Sequence, residues 1–74
     1  NFMAKFIGSG PLKKYSGIVN INKPILVQEL SKFLKLPKDL SENLIVVREN
    51  KKLNDDDTIQ NNDEIHIFFA AMGG

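Results

Sequence analysis

The residues that most clearly suggest a chemical reaction stand at the end of the sequence, where Ala70, Ala71 and Met72 lead into Gly73 and Gly74. Neither glycine has a Cβ, so a ligand or a second backbone can approach closely. The pair predicts a thin, flexible tail that ends in an unhindered α-carboxylate. Five extended residues from Ala70 span about 17 Å, which is enough to cross the wall of a partner's active site. A frayed terminus without function predicts the same features, because most chain ends are poorly ordered.

A strand is predicted immediately before this tail. Its residues alternate between two sets, Ile65, Ile67 and Phe69 against Glu64, His66 and Phe68. A period of two places the first set on the core and the second set outside. Phe68 is therefore predicted to be exposed, and a role in binding is predicted for it because aromatic side chains are favoured as interface anchors. A single exposed aromatic side chain without function is the alternative, because such residues are common.

The first part of the chain predicts a β-hairpin. Residues 2–7 alternate with Lys5 on the outward side, and residues 8–11 form a turn cluster rich in glycine. Residues 15–21 are predicted to form the second strand, with Val19 and Ile21 on one face and Ile18 on the other. The short connection favours antiparallel pairing.

A helix is predicted to follow, starting at residues 22–24, where Pro24 suits a first turn. An apolar stripe at helical spacing is predicted to face the core, namely Leu26, Leu30, Phe33 and Leu34. We expect the helix to end before Pro37, with a loop continuing through residue 43.

The remainder predicts strands and turns. Residues 44–48 form an aliphatic run that is typical of a central strand, and a turn at residues 49–52 precedes a very short strand at Leu53. Ile59 is predicted to be a buried apolar side chain, and a turn at residues 60–63 leads into the last strand. A hairpin, one helix and two or three further strands predict an α+β domain in which the helix covers one face of a mixed sheet of four to five strands. This ββαββ order is that of the β-grasp fold.

Composition narrows the class of protein further. None of the 74 residues is a cysteine, which excludes disulfides, thiolate metal ligands and a cysteine nucleophile. No stretch approaches the ~20 apolar residues of a membrane span, and no signal-like segment opens the chain. A net charge of +1 does not favour nucleic acid or a membrane surface as a partner. We therefore expect one soluble, cytoplasmic, monomeric domain over residues 1–70, with a flexible tail at residues 71–74.

The end of the chain resembles the ubiquitin superfamily. Residues 59–68 combine an isoleucine-containing turn with the last strand, and Gly73-Gly74 closes the chain, as in that family. The turn over residues 62–65 also looks like the Gly-Asp-Glu-Val turn of the prokaryotic sulfur carriers of molybdopterin and thiamine synthesis. Asn62 stands where those carriers usually have glycine, and asparagine also tolerates the left-handed conformation. The eukaryotic ubiquitin-related modifier and the small archaeal modifiers belong to the same group.

The resemblance implies a substrate protein rather than an enzyme. An activating enzyme would adenylate the carboxylate of Gly74 with ATP. Sulfur transfer would then give a thiocarboxylate, or a lysine of a target protein would form an isopeptide bond. The apolar tail differs from that of ubiquitin, which carries arginine and leucine before its diglycine, so the activating enzyme of ubiquitin is not the expected partner. The partner surface would comprise Phe68, Ala70 and Met72, with Ile18 at its margin.

Other residues offer little chemistry. His66 is the single histidine, with no cysteine or second histidine to complete a metal site, and it matches by position a surface histidine of ubiquitin. Asp55, Asp56 and Asp57 lack the spacing of a calcium loop and favour a solvated loop instead. No nucleophile–base pair can be assembled, so neither an independent enzyme nor a resident cofactor is expected. The alternatives are a dedicated sulfur carrier for molybdopterin or thiazole synthesis and a β-grasp binding module without C-terminal chemistry.

Overall fold

A computed structural model of the protein describes residues 2–70. In chain order its elements are β1 (Met3–Gly8), a 3-10 helix (Gly10–Tyr15), β2 (Gly17–Asn20), β3 (Ile25–Leu26), a second 3-10 helix (Val27–Glu29), α1 (Leu30–Leu34), α2 (Lys38–Ser41), β4 (Leu44–Arg48), β5 (Lys51–Lys52), β6 (Thr58–Ile59) and β7 (Glu64–Phe69). The predicted tail at residues 71–74 lies outside the described residues.

Five of the strands form one mixed sheet in the order β2-β1-β7-β4-β5. The first and last strands, β1 and β7, are parallel neighbours, whereas the other three pairings are antiparallel. The short strands β3 and β6 form a separate antiparallel pair. This α+β architecture, a mixed five-stranded sheet with a short helix, is consistent with the β-grasp fold and confirms the predicted fold class.

The core lies between one face of the sheet and the helical segments. Alternation places Ala4 and Phe6 of β1 inward together with Ile65 and Ile67 of β7, and all four side chains are buried. Leu30 of α1 is fully buried in the same cluster. Phe33, which the helical stripe assigned to the core, is only partly buried at its margin.

The connection between β1 and β2 differs from the predicted turn. A 3-10 helix occupies Gly10–Tyr15 and buries Leu12 completely. Gly8 makes this possible, because a Cβ at that position would lie 2.1 Å from the carbonyl oxygen of Leu12. The predicted antiparallel pairing of the hairpin is confirmed, with Lys5 opposite Ile18.

The predicted helix start at residues 22–24 is wrong. Asn22 has a positive φ of 65°, and the following Ile25–Leu26 segment is extended and pairs with Thr58–Ile59. A 3-10 turn then leads into α1, which begins only at Leu30. The pairing with a distant strand determines the conformation here, so Leu26 belongs to a strand rather than to the helical stripe.

The helix ends before Pro37, as predicted, but the following loop contains a second helix. Lys35 adopts the left-handed conformation with φ 59°, and the N–H of Leu36 donates to the carbonyl oxygen of Ser31 at 2.9 Å. Pro37 is extended and precedes α2, which buries Leu40. The predicted loop through residue 43 is therefore wrong in this part.

The expectations for residues 49–53 also need correction. The short strand after the turn is Lys51–Lys52, and Leu53 lies just beyond it. Glu49 and Asn50 form the turn, with φ of 52° and 65°, and positive φ at both positions is typical of a tight hairpin. β4 has a neighbour on each side, as predicted for a central strand, and β7 is the middle strand of the five.

Candidate functional site

The candidate site is the outer face of β7, the strand from which the predicted tail continues. β7 lies between β1 and β4, so both of its edges are hydrogen-bonded. Ile65 and Ile67 are fully buried, whereas Phe68 is 37% exposed on the opposite face. The predicted assignment of the two faces is confirmed for these residues.

Phe68 has apolar and aromatic neighbours on this face. Ile45 of β4 lies directly opposite Phe68 in the antiparallel register, and Val47 lies opposite His66. The rings of His66 and Phe68 stack with centroids 6.4 Å apart and planes inclined by 13°. Because these side chains belong to two adjacent strands, they form a continuous surface on a rigid part of the sheet. We call Ile45, Val47, His66 and Phe68 the outer patch.

A shallow groove of about 250 Å³ runs beside the outer patch. It is lined by Val47, Glu49, Asn50, Glu64, His66 and Phe68. The His66 Nε2 atom lies 3.5 Å from the Glu64 Oε2 atom, and both side chains are partly exposed. An apolar floor with carboxylates at the rim suits contact with another molecule. It does not assemble the nucleophile and base that covalent catalysis needs.

Ala70 anchors the chain where the described residues end. Its N–H donates to the carbonyl oxygen of Asn43 at 2.7 Å, and Ala70 is half-buried. The Asn43 side-chain amide donates in turn to the carbonyl oxygen of Asp39 in α2 at 3.1 Å. The segment after α2 therefore fixes the point from which residues 71–74 continue. Met72, Gly73 and Gly74, the other predicted site residues of the tail, lie outside the described residues.

Ile18 lies on the same outer face of the sheet, but apart from Phe68. It is 69% exposed, and Lys5 of β1 lies opposite it in the register. Glu64 follows Lys5 on the next strand. Phe68 is four residues beyond Glu64, about 13 Å along β7, and β2 lies two strand spacings, about 10 Å, away from β7. The structure confirms that Ile18 points outward, while Lys5 and Glu64 stand between it and the outer patch.

The turn before β7 is held by a partly buried ion pair. The Arg48 Nη1 atom donates to the Asp63 Oδ2 atom at 2.7 Å and to the carbonyl oxygen of Thr58 at 2.8 Å. The same Asp63 oxygen accepts the N–H of Gln60 at 2.8 Å. Asn62 adopts a positive φ of 71°, the left-handed conformation that its side chain tolerates. These contacts fix the start of β7 and therefore its register.

Other polar side chains within residues 2–70 support the backbone, and the Asn61 Oδ1 atom accepts the N–H of Met3 at 2.8 Å. The Asp57 Oδ2 atom accepts the N–H of Asn54 at 2.7 Å, which closes the acidic loop. Among these residues, no group of three or more His, Cys, Asp or Glu side chains could hold a metal ion. In the same part of the chain, no helix has the length and apolar character needed to cross a membrane.

Sequence reasoning missed part of this surface. Ile45 and Val47 were assigned to a strand, but their face was not, because an aliphatic run gives no alternation from which to read it. The sequence predicts a loop at Asn43, and its role as the anchor of Ala70 depends on a contact between distant parts of the chain.

Comparison of the sequence with protein-family models finds no family that matches, and comparison with curated proteins finds no similar protein.

Proposed function

We propose that this protein is a ubiquitin-like protein modifier or sulfur carrier that is activated at the carboxylate of Gly74. The observation that carries the proposal is the combination of a central strand exposing Phe68 with the diglycine that follows it in sequence. The β-grasp-like topology is compatible with this function. The proposal takes Gly74 as the C-terminal residue of the active protein, and intact mass of the protein isolated from its source measures this directly.

The proposed chemistry takes place in the partner's active site. An oxygen of the Gly74 carboxylate attacks the α-phosphorus of ATP, pyrophosphate leaves, and an acyl-adenylate forms. A sulfur nucleophile, supplied by the partner as a persulfide, then attacks the carbonyl carbon and displaces AMP. Reductive cleavage of the resulting acyl disulfide by a thiol leaves the thiocarboxylate. Where a lysine amine of a target protein attacks instead, AMP leaves and an isopeptide bond forms.

The tail suits this chemistry because its two glycines have no side chains and the chain has no cysteine. Gly73 and Gly74 have no side chains, so a closed pocket can hold the carbonyl carbon close to the attacking group. The chain contains no cysteine, so the terminal carboxyl is the position at which it would carry sulfur. The hydrogen bond between Ala70 and Asn43 gives the tail a fixed origin beside the outer patch.

The outer patch provides the proposed docking surface for the activating enzyme. Phe68 is an aromatic side chain on a strand paired along both edges, so its position is defined before binding. Aromatic residues are enriched among the anchors of protein interfaces. An enzyme bound at this face would lie next to the origin of the tail.

The first experiment tests the terminal chemistry by ATP–pyrophosphate exchange with the activating enzyme from the same source. We expect exchange with the native chain and none when one residue is added after Gly74, because the added residue removes the free carboxylate. Deleting Gly73 and Gly74 should likewise abolish exchange while leaving urea unfolding unchanged. Undiminished exchange with the extended chain would refute activation at Gly74.

A second experiment separates the two fates of the activated carboxylate. The protein is incubated with ATP and an extract of its source, and its intact mass is measured beside a blot against the protein. Exchange of one oxygen for one sulfur in the mass indicates a carrier, and a ladder on the blot indicates conjugation. Binding to a partner without either product would favour the alternative, a β-grasp binding module.

The docking surface is tested separately with Phe68→Ala. Truncating an anchor commonly costs ~2 kcal/mol of binding free energy, roughly a thirtyfold loss of affinity. Lys38→Met on α2 is the matched control, because its side chain is exposed and does not belong to the outer patch. Equal affinity of the enzyme for both variants would rule out docking at Phe68.

A further inference from the structure

Within residues 2–70, β2 is an edge strand of the five-stranded sheet, and neither a charged side chain nor a proline protects it. Gly17–Asn20 contains no proline and no charged residue, and its Ile18 is 69% exposed. Natural proteins commonly place charges, prolines or bulges on an exposed edge to prevent pairing with another chain. The opposite edge shows such protection, because β5 consists of Lys51 and Lys52.

The hydrogen-bonding direction of β2 follows from its pairing with β1. The N–H of Ile21 donates to the carbonyl oxygen of Phe2 at 2.7 Å, which makes Phe2 and Ile21 a hydrogen-bonded pair. On the other side of β1, the N–H of Lys5 donates to the carbonyl oxygen of Asp63 at 2.9 Å. Alternation along an antiparallel ladder then directs the backbone groups of Gly17 and Val19 toward β1.

The same alternation directs the N–H and C=O groups of Ile18 and Asn20 away from the sheet. A further strand placed beside β2 would therefore find two donors and two acceptors in register. The side chain of Ile18, on the outer face, would lie against the side chain directly opposite it.

We propose that β2 pairs antiparallel with β2 of a second copy of this chain, with Ile18 opposite Ile18 of that copy. This register makes Ile18 and its counterpart a hydrogen-bonded pair. The N–H of Asn20 would face the carbonyl oxygen of Ser16 of the second copy, whose own N–H stays bonded to the carbonyl oxygen of Lys13. It also brings the most exposed isoleucine within residues 2–70 out of water in both copies. The lysines of β5 disfavour a head-to-tail contact between β2 and β5, so pairing closes as a dimer rather than continuing as a filament.

The dimer would contain one continuous ten-stranded sheet. Its twofold axis is perpendicular to the sheet, because residues that face each other in an antiparallel ladder share a face. Both copies of Phe68 therefore lie on the same side of the dimer. This inference does not depend on the proposed function.

The contact is small, so we expect weak association. Four residues of edge strand bury less than the ~1,200 Å² at the lower limit of stable interfaces. The monomer predicted from the sequence would then be the state at low concentration, and the dimer would form as concentration rises.

Sedimentation equilibrium and amide exchange test the proposal at protein concentrations from about 0.02 to 2 mM. This concentration range covers weak dissociation constants. We expect the weight-average mass to rise with concentration, and the amide of Ile18 to exchange more slowly as it does so. The amide of Val19 already bonds to β1 and should change less.

Two variants locate the interface. Ile18→Pro removes the donor that points away from β1 and leaves the ladder with β1 intact, since proline is tolerated at such edge positions. Ile18→Lys adds like charges across the twofold axis and provides a second test if the proline variant is unstable. Each should weaken dimerisation at least about tenfold, and urea unfolding of each variant establishes that it is folded. Phe68→Ala, on the same face of a central strand, should dimerise normally.

A protein that remains monomeric throughout this concentration range overturns the proposal. Dimerisation that survives in both folded Ile18 variants but is lost in Phe68→Ala would place the interface on the outer patch, and would overturn it equally.

Discussion

Replacing Arg48 by methionine should destabilise the protein through the turn that precedes β7. The Arg48 guanidinium bonds to the Asp63 carboxylate and to the carbonyl oxygen of Thr58, so the change removes two hydrogen bonds from a cationic donor. Among the hydrogen bonds of the Asp63 carboxylate within residues 2–70, the one from the N–H of Gln60 then remains. Methionine retains much of the length and apolar stem of arginine, which limits the accompanying loss of packing.

The magnitude follows from the degree of burial. Hydrogen bonds to charged groups contribute about 1.5–3 kcal/mol when shielded, whereas exposed ion pairs contribute about 0–1 kcal/mol. The side chains of Arg48 and Asp63 are 28% and 19% exposed, which places this pair between the two limits. We expect Arg48→Met to lower the free energy of unfolding by about 2 kcal/mol. For a domain of this size, that corresponds to a decrease of about 10 °C in Tm.

Urea unfolding of Arg48→Met, Asp63→Asn and the double variant isolates the interaction between the two side chains. The coupling energy should be about 1 kcal/mol, with an unchanged dependence on urea. Lys38 and Glu42 provide the control, because their charged atoms lie 3.9 Å apart and their side chains are 86% and 59% exposed. Lys38→Met should change stability by no more than about 0.5 kcal/mol. A coupling below about 0.3 kcal/mol for the Arg48 pair would refute its assignment as a stabilising contact.

Three further predictions concern stability and are measured by urea unfolding. Ile67→Ala should lower the free energy of unfolding by about 2–5 kcal/mol because its side chain is fully buried. Phe68→Ala should lower it by only about 1–2 kcal/mol, and equal losses would mean that both side chains belong to the core. Gly8→Ala should cost about 1–3 kcal/mol because its Cβ would clash with the backbone of Leu12, and a neutral result would show that the 3-10 helix can move away. Lys35→Gly should gain about 1 kcal/mol by relieving a left-handed conformation, and a loss would contradict that reasoning.

The last strand could be predicted from the sequence because its signal is local. Ile65 and Ile67 alternate with His66 and Phe68, and this pattern alone determines which side chains face the core. The turn before it was also recognisable, since Asn62 occupies a position that requires positive φ.

The start of the helix could not be predicted in the same way. Pro24 after Asn22 is a common signal for a first helical turn, but Ile25–Leu26 instead pairs with Thr58–Ile59, more than thirty residues away. Such a long-range contact cannot be read from the neighbouring residues in the sequence, and it outweighs the weak preference of these residues for a helix. Leu12 was missed for a related reason, because a single apolar residue among glycines, lysines and a proline gives no periodicity.

The part of the candidate site that follows from alternation within one strand could be predicted. The part that follows from the register between two strands could not. Phe68 followed from the alternation within β7. Its neighbours Ile45 and Val47 required the register between β4 and β7, which the sequence does not specify. Ile18 was correctly assigned outward, but its distance from Phe68 follows from the order of the strands.

The parallel pairing of β1 and β7 has a mechanical consequence. A force that draws the two ends of the domain apart acts along these strands in opposite directions. The hydrogen bonds between them, such as those from Lys5 to Asp63 and from Ser9 to Ile67, are then loaded together in shear. An antiparallel hairpin pulled from its open end would instead lose its bonds one after another. A molecular machine that pulled on residues 71–74 against a held N-terminus would therefore meet the strongest resistance at the first step, before any part of the sheet had separated.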